Sequence, residues 1–389
     1  MKFPSKWALA TAGLAMIQSV AMADDTVKVG IIAPFSGPFA SYGQQFKDGI
    51  DVYVAEHGVM AGTHKVEFVY KDSGGPNPAG VKAATQELLI KDGVKYLGGI
   101  VFTPNALAIA PLITQTKTPT VLFNAATSII NTKSPYFLRT SMTLPQVSAP
   151  MADWAIENGI KTVVTTVTDY GPGIDAETAF TKEFTAKGGK VIDAIRMPIQ
   201  TSDFGPFLQR VKSKAPNAVF AFLPGGAPAF AFSKAYSDNG LAQAGIKAIG
   251  TGDIDDETTL QGLGASGIGI ITSHHYSQAH DSPENKAFLA QLHKLRPNDV
   301  SNYATIGAYD GTFLLYKMIS STDGGDAAVK SVEGMSWTSP RGPVKLDPVS
   351  RSLDQNVYIR EVVKGADGKL ENKEIATYKD VPDLGMPAH

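Results

Sequence analysis

The sequence predicts an α/β protein built as two doubly wound parallel-sheet lobes, and three observations carry that expectation. Apolar strand-like runs alternate with helix-periodic stretches from Val27 onward. The alternation starts afresh after a turn-rich break, "LRTSMTLPQVSAP", that opens at Leu138. The chain of 389 residues also exceeds what one hydrophobic core ordinarily supports.

The first element is the strand at Val27, which breaks into a Gly/Pro/Ser loop over Ala33 to Tyr42. A helix follows with Phe46, Ile50, Tyr53, Val54 and His57 at helical spacing, and Gly58 ends it. The loop is no nucleotide cradle. Gly37, Gly43 and Gly49 match neither the G-x-G-x-x-G fingerprint nor a Walker A close. "HKVEFVYKD" reads as the next strand, then a helix from Pro78 to Lys91 buries Val81, Leu88 and Leu89. "KYLGGIVF", a helix over "ALAIAPLITQT" and the strand "PTVLFNA" complete the first set. Four strands joined by helical crossovers make a parallel sheet covered on both faces.

The second set comprises "KTVVTTVTD", "GKVIDAIRMPI", "NAVFAFLPGG", "IKAIGTGD" and "GIGIITSHHY". Helices such as "IDAETAFTKEFTAKGG" lie between them, with Phe180 and Phe184 one turn apart. Two further helices after Tyr276 are too little for a third sheet, so the economical arrangement returns them to the first lobe and sends the tail back to the second. Three crossings result, near Leu138–Leu144, Thr272–Ser277 and Trp337–Gly342. The lobes are then expected over 26–141 with 276–337, and over 142–275 with 338–380.

The first residues carry an address. Lys2 and Lys6 precede an apolar run from Trp7 to Val20 and the small-residue pattern Ala21-Met22-Ala23. This predicts a signal peptide over 1–23, cleaved after Ala23, because the run is shorter than the ~20 apolar residues of a spanning helix. Cleavage removes two of the positive charges from a chain of formal net charge −2. No basic patch for nucleic acid and no membrane-inserted segment is expected in the mature chain. The absence of cysteine excludes disulfides, thiolate nucleophiles and Cys-bound metals. Two lobes of ordinary size fold without such staples.

Catalytic patterns are missing. There is no G-x-S-x-G elbow and no H-E-x-x-H, and His274 and His275 on one strand would point to opposite faces. Asp253, Asp255 and Asp256 read as a solvated helix start. Neither a metal nor a cofactor is expected, and the chain is not read as an enzyme.

Five landmarks in one order then carry a resemblance: the export signal, "IAPFSGPFASYGQQFKDGI", "FNAATS", "VTDYGPGIDAETAF", and "SPRGPVKLD" followed by "QNVYIREV". Together they resemble the type I periplasmic solute-binding proteins of ABC importers, in the leucine/isoleucine/valine-binding branch with its aromatic-acid-binding relatives. The resemblance implies two lobes that close on a small organic carboxylate and deliver it, as a monomer, to inner-membrane permease subunits. The ligand class it implies is a branched-chain amino acid or an aromatic acid. A sensor module for a receptor or regulator is the alternative of a different class.

Candidate binding residues gather at strand ends, where open α/β sheets hold ligands. Thr103 and Asn105 offer helix caps or ligand contacts, and Asn124, Ala125, Ala126 and Thr127 offer backbone N–H groups and a hydroxyl. The resemblance aligns the last three cleanly; at Thr103-Pro104-Asn105 the branch usually shows serines, and Pro104 removes one donor. Tyr170 matches the family's covering aromatic, and Gly225 in "LPGGAP" permits close backbone approach. Asp253 either faces the cleft, where it would meet an ammonium group, or caps the following helix. His275 beside the second crossing either contacts ligand or donates to backbone. Tyr42 and Tyr309 are candidate cleft aromatics, and Arg139 and Arg341 are ligand contacts or salt-bridge residues.

Overall fold

The computed structural model describes Met1 and residues 26–386; apart from Met1, the expected export segment lies outside them. The first sheet is built from β1 (Thr26–Ala33), β2 (Met60–Ala61), β3 (His64–Asp72), β4 (Tyr96–Gly99), β5 (Thr120–Leu122) and β6 (Phe137–Arg139). Its order is β2-β3-β1-β4-β5-β6, parallel throughout except for the small β2–β3 hairpin. Helices α1 (Ser41–His57), α2 (Pro78–Ile90) and α3 (Thr103–Thr116) make the crossovers. Local chemistry sets their starts: Asn77 accepts from the Gly80 N–H ahead of Pro78 at the head of α2. α3 is different, because Phe102 precedes it and neither Thr103 nor Asn105 caps it.

After α4 (Leu144–Glu157), which opens on a Thr143/Gln146 capping box, the second sheet begins. Its parallel part holds β7 (Thr162–Thr168), β8 (Lys190–Met197), β9 (Ala218–Phe222), β10 (Lys247–Thr251) and β11 (Ile271–His274). Helices α5 (Gly171–Ala186), α6 (Gly205–Lys214), α7 (Ala227–Asp238) and α8 (Glu257–Leu263) connect them. The chain then forms α9 (Pro283–Leu295), α10 (Tyr303–Ser321) and α11 (Gly325–Val332). α10 lies along α1 of the first lobe. The approach is close because Gly49 has no side chain, and a Cβ there would run into the Thr305 carbonyl.

The tail makes the second sheet mixed where a parallel one was expected. β12 (Ser336–Ser339), β13 (Gly342–Leu346), β14 (Leu353–Lys364) and β15 (Leu370–Val381) join antiparallel, with β14 docked on β11. Hairpins need only short turns, so a tail of this length adds strands without further helices. Hydrogen bonding and packing part company here. Val344, Leu346 and Leu353 belong to the core beneath the first sheet, although their strands are bonded into the second. The third crossing is therefore a shared segment and not a single passage at Trp337–Gly342.

Arg139 and Arg341 are both buried ion-pair residues. Arg341 pairs with Asp310 at 2.6 Å and donates to the Thr140 carbonyl, and Arg139 faces Asp383 at 3.5 Å, all four side chains being out of solvent. No described helix is long and apolar enough to cross a membrane.

Candidate functional site

A narrow cavity of about 280 Å³ lies between the lobes, at the carboxyl ends of the parallel strands. The first lobe supplies Tyr42 from α1, Val101 and Phe102 beyond β4, and Asn124 and Ala126 beyond β5. From the second come Tyr170 and Pro172 at the start of α5, Phe222 and Pro224 at the end of β9, and Asp253 beyond β10. Met142 and Leu144 close the hinge side. Tyr170 packs against the cores of both lobes and stacks on Phe222 with ring centres 6.2 Å apart. Hydrogen bonds hold the two lobes together. The Gly225 N–H donates to the Tyr42 hydroxyl at 3.0 Å, and the Asn302 amide donates to Asp256 at 2.8 Å.

Donors on the first-lobe wall are neutral. Arg139 binds the Ala125 carbonyl through Nε and the Thr127 carbonyl through Nη2. A trans peptide sets its N–H opposite its C=O, so anchoring the Ala125 oxygen turns the Ala126 N–H to the other side. Arg139 thus shapes the loop without touching the cavity. Asn124 donates weakly to the Val101 carbonyl at 3.4 Å, and its buried Oδ1 has no partner among the described residues. The amide can therefore present either end to a ligand.

On the opposite lobe the wall carries an acceptor. Asp253 is 3% exposed and accepts from Thr251 Oγ1 at 2.7 Å. Burial pushes its carboxyl up to about 7, helped by the nearby Asp256 charge and opposed by the Thr251 bond. Tyr303, whose ring stacks on His274, shares a 2.9 Å hydroxyl contact with Tyr42. Burial holds the hydroxyls of Tyr42, Tyr170 and Tyr303 far above their ordinary range, so all three are phenols. His274 and His275 are held neutral by burial and by the neighbouring arginines.

Five of the residues expected from sequence line the cavity: Tyr42, Asn124, Ala126, Tyr170 and Asp253. Four lie directly behind it. Thr103 and Thr127 bond to each other through their hydroxyls at 2.8 Å, beneath Gly171. Ala125 sets the loop through its carbonyl, and a Cβ at Gly225 would strike the Tyr303 hydroxyl. The remaining three are elsewhere. Asn105 ties the loop before α2, donating to Gly75 O and accepting from Asn77 N, and Tyr309 bonds Glu56 while packing on Tyr53 and Phe288. His275 sits behind His274, with their Nδ1 atoms 2.9 Å apart. The two rings do not point to opposite faces, because β11 ends at His274 and strand alternation stops there.

Asp253 caps nothing. The cap of α8 is Asp256, which accepts from the Thr258 N–H. The acidic run is no solvated helix start either: Asp253, Asp255 and Asp256 are all buried, and Asp255 meets Arg360 at 2.8 Å. Phe102, Phe222 and Tyr303 escaped the sequence reading. Phe102 ends the apolar run ahead of α3, Phe222 closes β9, and Tyr303 follows the capping Asn302, so each had a local signal.

The sequence profile of the periplasmic binding protein family matches residues 26–369. The chain belongs to that family. A leucine/isoleucine/valine-binding protein homolog from Brucella abortus is 50% identical over 368 residues, covering 94% of each chain. A solute-binding protein of an ABC transporter from Rhodopseudomonas palustris, solved with 4-hydroxybenzoate, is 53% identical with a TM-score of 0.90, covering 93% of this chain and 99% of its own. Another, from Rhodopseudomonas palustris BisB5 with 3,4-dihydroxybenzoic acid, is 42% identical with a TM-score of 0.89 over the same shares. The fold is that of the type I periplasmic binding proteins, a solute-binding class, and the resemblance to the leucine/isoleucine/valine branch and its aromatic-acid relatives holds.

Proposed function

We propose that this chain is the exported, periplasmic binding component of an ABC importer, that it captures a hydroxylated aromatic carboxylate by closure of its lobes, and that it delivers it to an inner-membrane permease. One observation carries the ligand class: neutral donors and a buried acceptor stand on opposite lobes, with aromatic side chains between them. A 4-hydroxybenzoate-like molecule has a carboxylate at one end of a rigid ring and a hydroxyl at the other. Its carboxylate meets the Ala126 N–H and the Asn124 amide, its ring lies among Phe102, Tyr170 and Phe222, and its hydroxyl donates to Asp253. An α-amino acid carries both charges on one carbon and would have to satisfy both walls from one end. Ligand contacts split between lobes favour the closed form, which is the form a permease would read.

Thermal unfolding with 4-hydroxybenzoate, benzoate and leucine tests this reading. A ligand at 100 times its Kd adds about 2.7 kcal/mol of stability. The largest shift is expected from 4-hydroxybenzoate, and a shift from leucine alone would overturn the ligand assignment. Tyr170→Ala is expected to weaken 4-hydroxybenzoate binding by about 10–100-fold by calorimetry, because it removes an aromatic anchor packed against the cores of both lobes. Tyr309→Phe, which loses only its Glu56 bond, is expected to leave that affinity unchanged.

A further inference from the structure

A second cavity, of about 620 Å³, lies away from the strand-end cleft and carries two unpartnered buried acceptors. Glu257 gives one oxygen, Oε1, to Arg360 at 3.0 Å, while Oε2 has no hydrogen-bond partner among the described residues and the side chain is 4% exposed. Asn372, 2% exposed, donates to the Asp255 carbonyl, and its own Oδ1 is unpartnered. The Asn372 amide approaches Glu257 closely enough to favour its charged form, yet makes no hydrogen bond to Oε2. Leaving such atoms without donors is costly, more so for a charged group. Glu257 and Asn372 both line the cavity, whose remaining walls include Leu260, Leu289 and Leu370.

Charge selects the occupant. Among the described residues Arg360 is the one guanidinium paired with this group, against the buried carboxyls of Asp255, Asp256 and Glu257. Among the described residues no set of three His, Cys, Asp or Glu side chains is arranged to hold a metal ion. A donor with positive charge and an apolar body answers both the orphaned oxygens and the leucines. We propose that this cavity is a second ligand site, separate from the cleft, that takes a small organic ammonium ion with a short branched apolar body. Glu257, Leu260, Leu370 and Asn372 belong to α8 and β15 of the second lobe, and Leu289 belongs to α9 on the first-lobe side, so an occupant bridges both.

Isobutylammonium chloride is the probe, with sodium isobutyrate and isobutanol as matched controls. A saturable thermal shift is expected from the ammonium ion alone. It should persist in Asp253→Asn, which separates this cavity from the cleft, and the measurement does not depend on which acid the cleft binds. Glu257→Gln should weaken binding about tenfold or more, the loss of one charge-assisted hydrogen bond. Leu289→Trp, which fills the cavity without touching the Arg360 pairs, should abolish it. No saturable shift, a shift removed by Asp253→Asn, or a shift untouched by Leu289→Trp would each overturn the proposal. If Glu257→Gln fails to fold, Leu289→Trp decides.

Discussion

Arg360→Met is expected to lower the unfolding free energy by about 3–5 kcal/mol, because it strands two carboxylates in the interior. Arg360 donates to Asp255 at 2.8 Å and Glu257 at 3.0 Å, and also to the Tyr276 carbonyl at 2.7 Å, with no solvent contact at either arginine or aspartate. Burial raises both carboxyls and Arg360 lowers them, so deleting it pushes them higher still. A carboxyl whose folded value lies above its unfolded one favours the fold while protonated. That contribution disappears as pH rises through the folded value. The deficit of Arg360→Met should therefore be small near pH 5 and complete near pH 8. Urea melts at the two pH values check it, and an equal deficit at both would show that the carboxylates are not its source.

Asp253→Asn is expected to weaken 4-hydroxybenzoate binding by about 10–100-fold while leaving benzoate affinity unchanged or improved. Only the hydroxylated ligand has a proton to give this carboxylate; benzoate leaves it unpaired. Because the carboxyl of the empty site is pushed up to about 7, it carries a proton in much of the population below that pH. Affinity for 4-hydroxybenzoate should fall with pH below about 7, approaching tenfold per unit, since a unit of pKa corresponds to 1.36 kcal/mol. The same sign rule applies to the fold: the buried charge is a burden above pH 7, so the variant should unfold later than the parent at pH 8. Titration calorimetry from pH 5 to 8 with both acids checks the binding. Equal losses for benzoate and 4-hydroxybenzoate would remove Asp253 from the hydroxyl end.

How far the sequence reaches can be seen on single helices. Tyr303 and Tyr309 share α10, and six residues turn a helix by about 240°, so both cannot face one cavity. Tyr303, beside the cap, meets the hydroxyl of the cavity-lining Tyr42; Tyr309 is turned onto Tyr53 and Phe288. A strand end pointed to Asn124 and the family resemblance to Tyr170 and Asp253; all three line the cavity because they follow strand ends, a local property. The burial of the acidic run is not local. It depends on Arg360, about a hundred positions downstream on β14, which only the pairing of β14 with β11 brings to Asp255. Arg139 and Arg341 follow the same logic, since Asp383 and Asp310 reach them through the tail and α10.

The segment from β12 into β14 has a thermodynamic consequence. Its backbone belongs to one lobe's ladder and Val344, Leu346 and Leu353 to the other's interior. Neither half of the molecule keeps its own interior intact if the other melts. Calorimetry should then record one cooperative endotherm, despite two sheets large enough to suggest two independent ones.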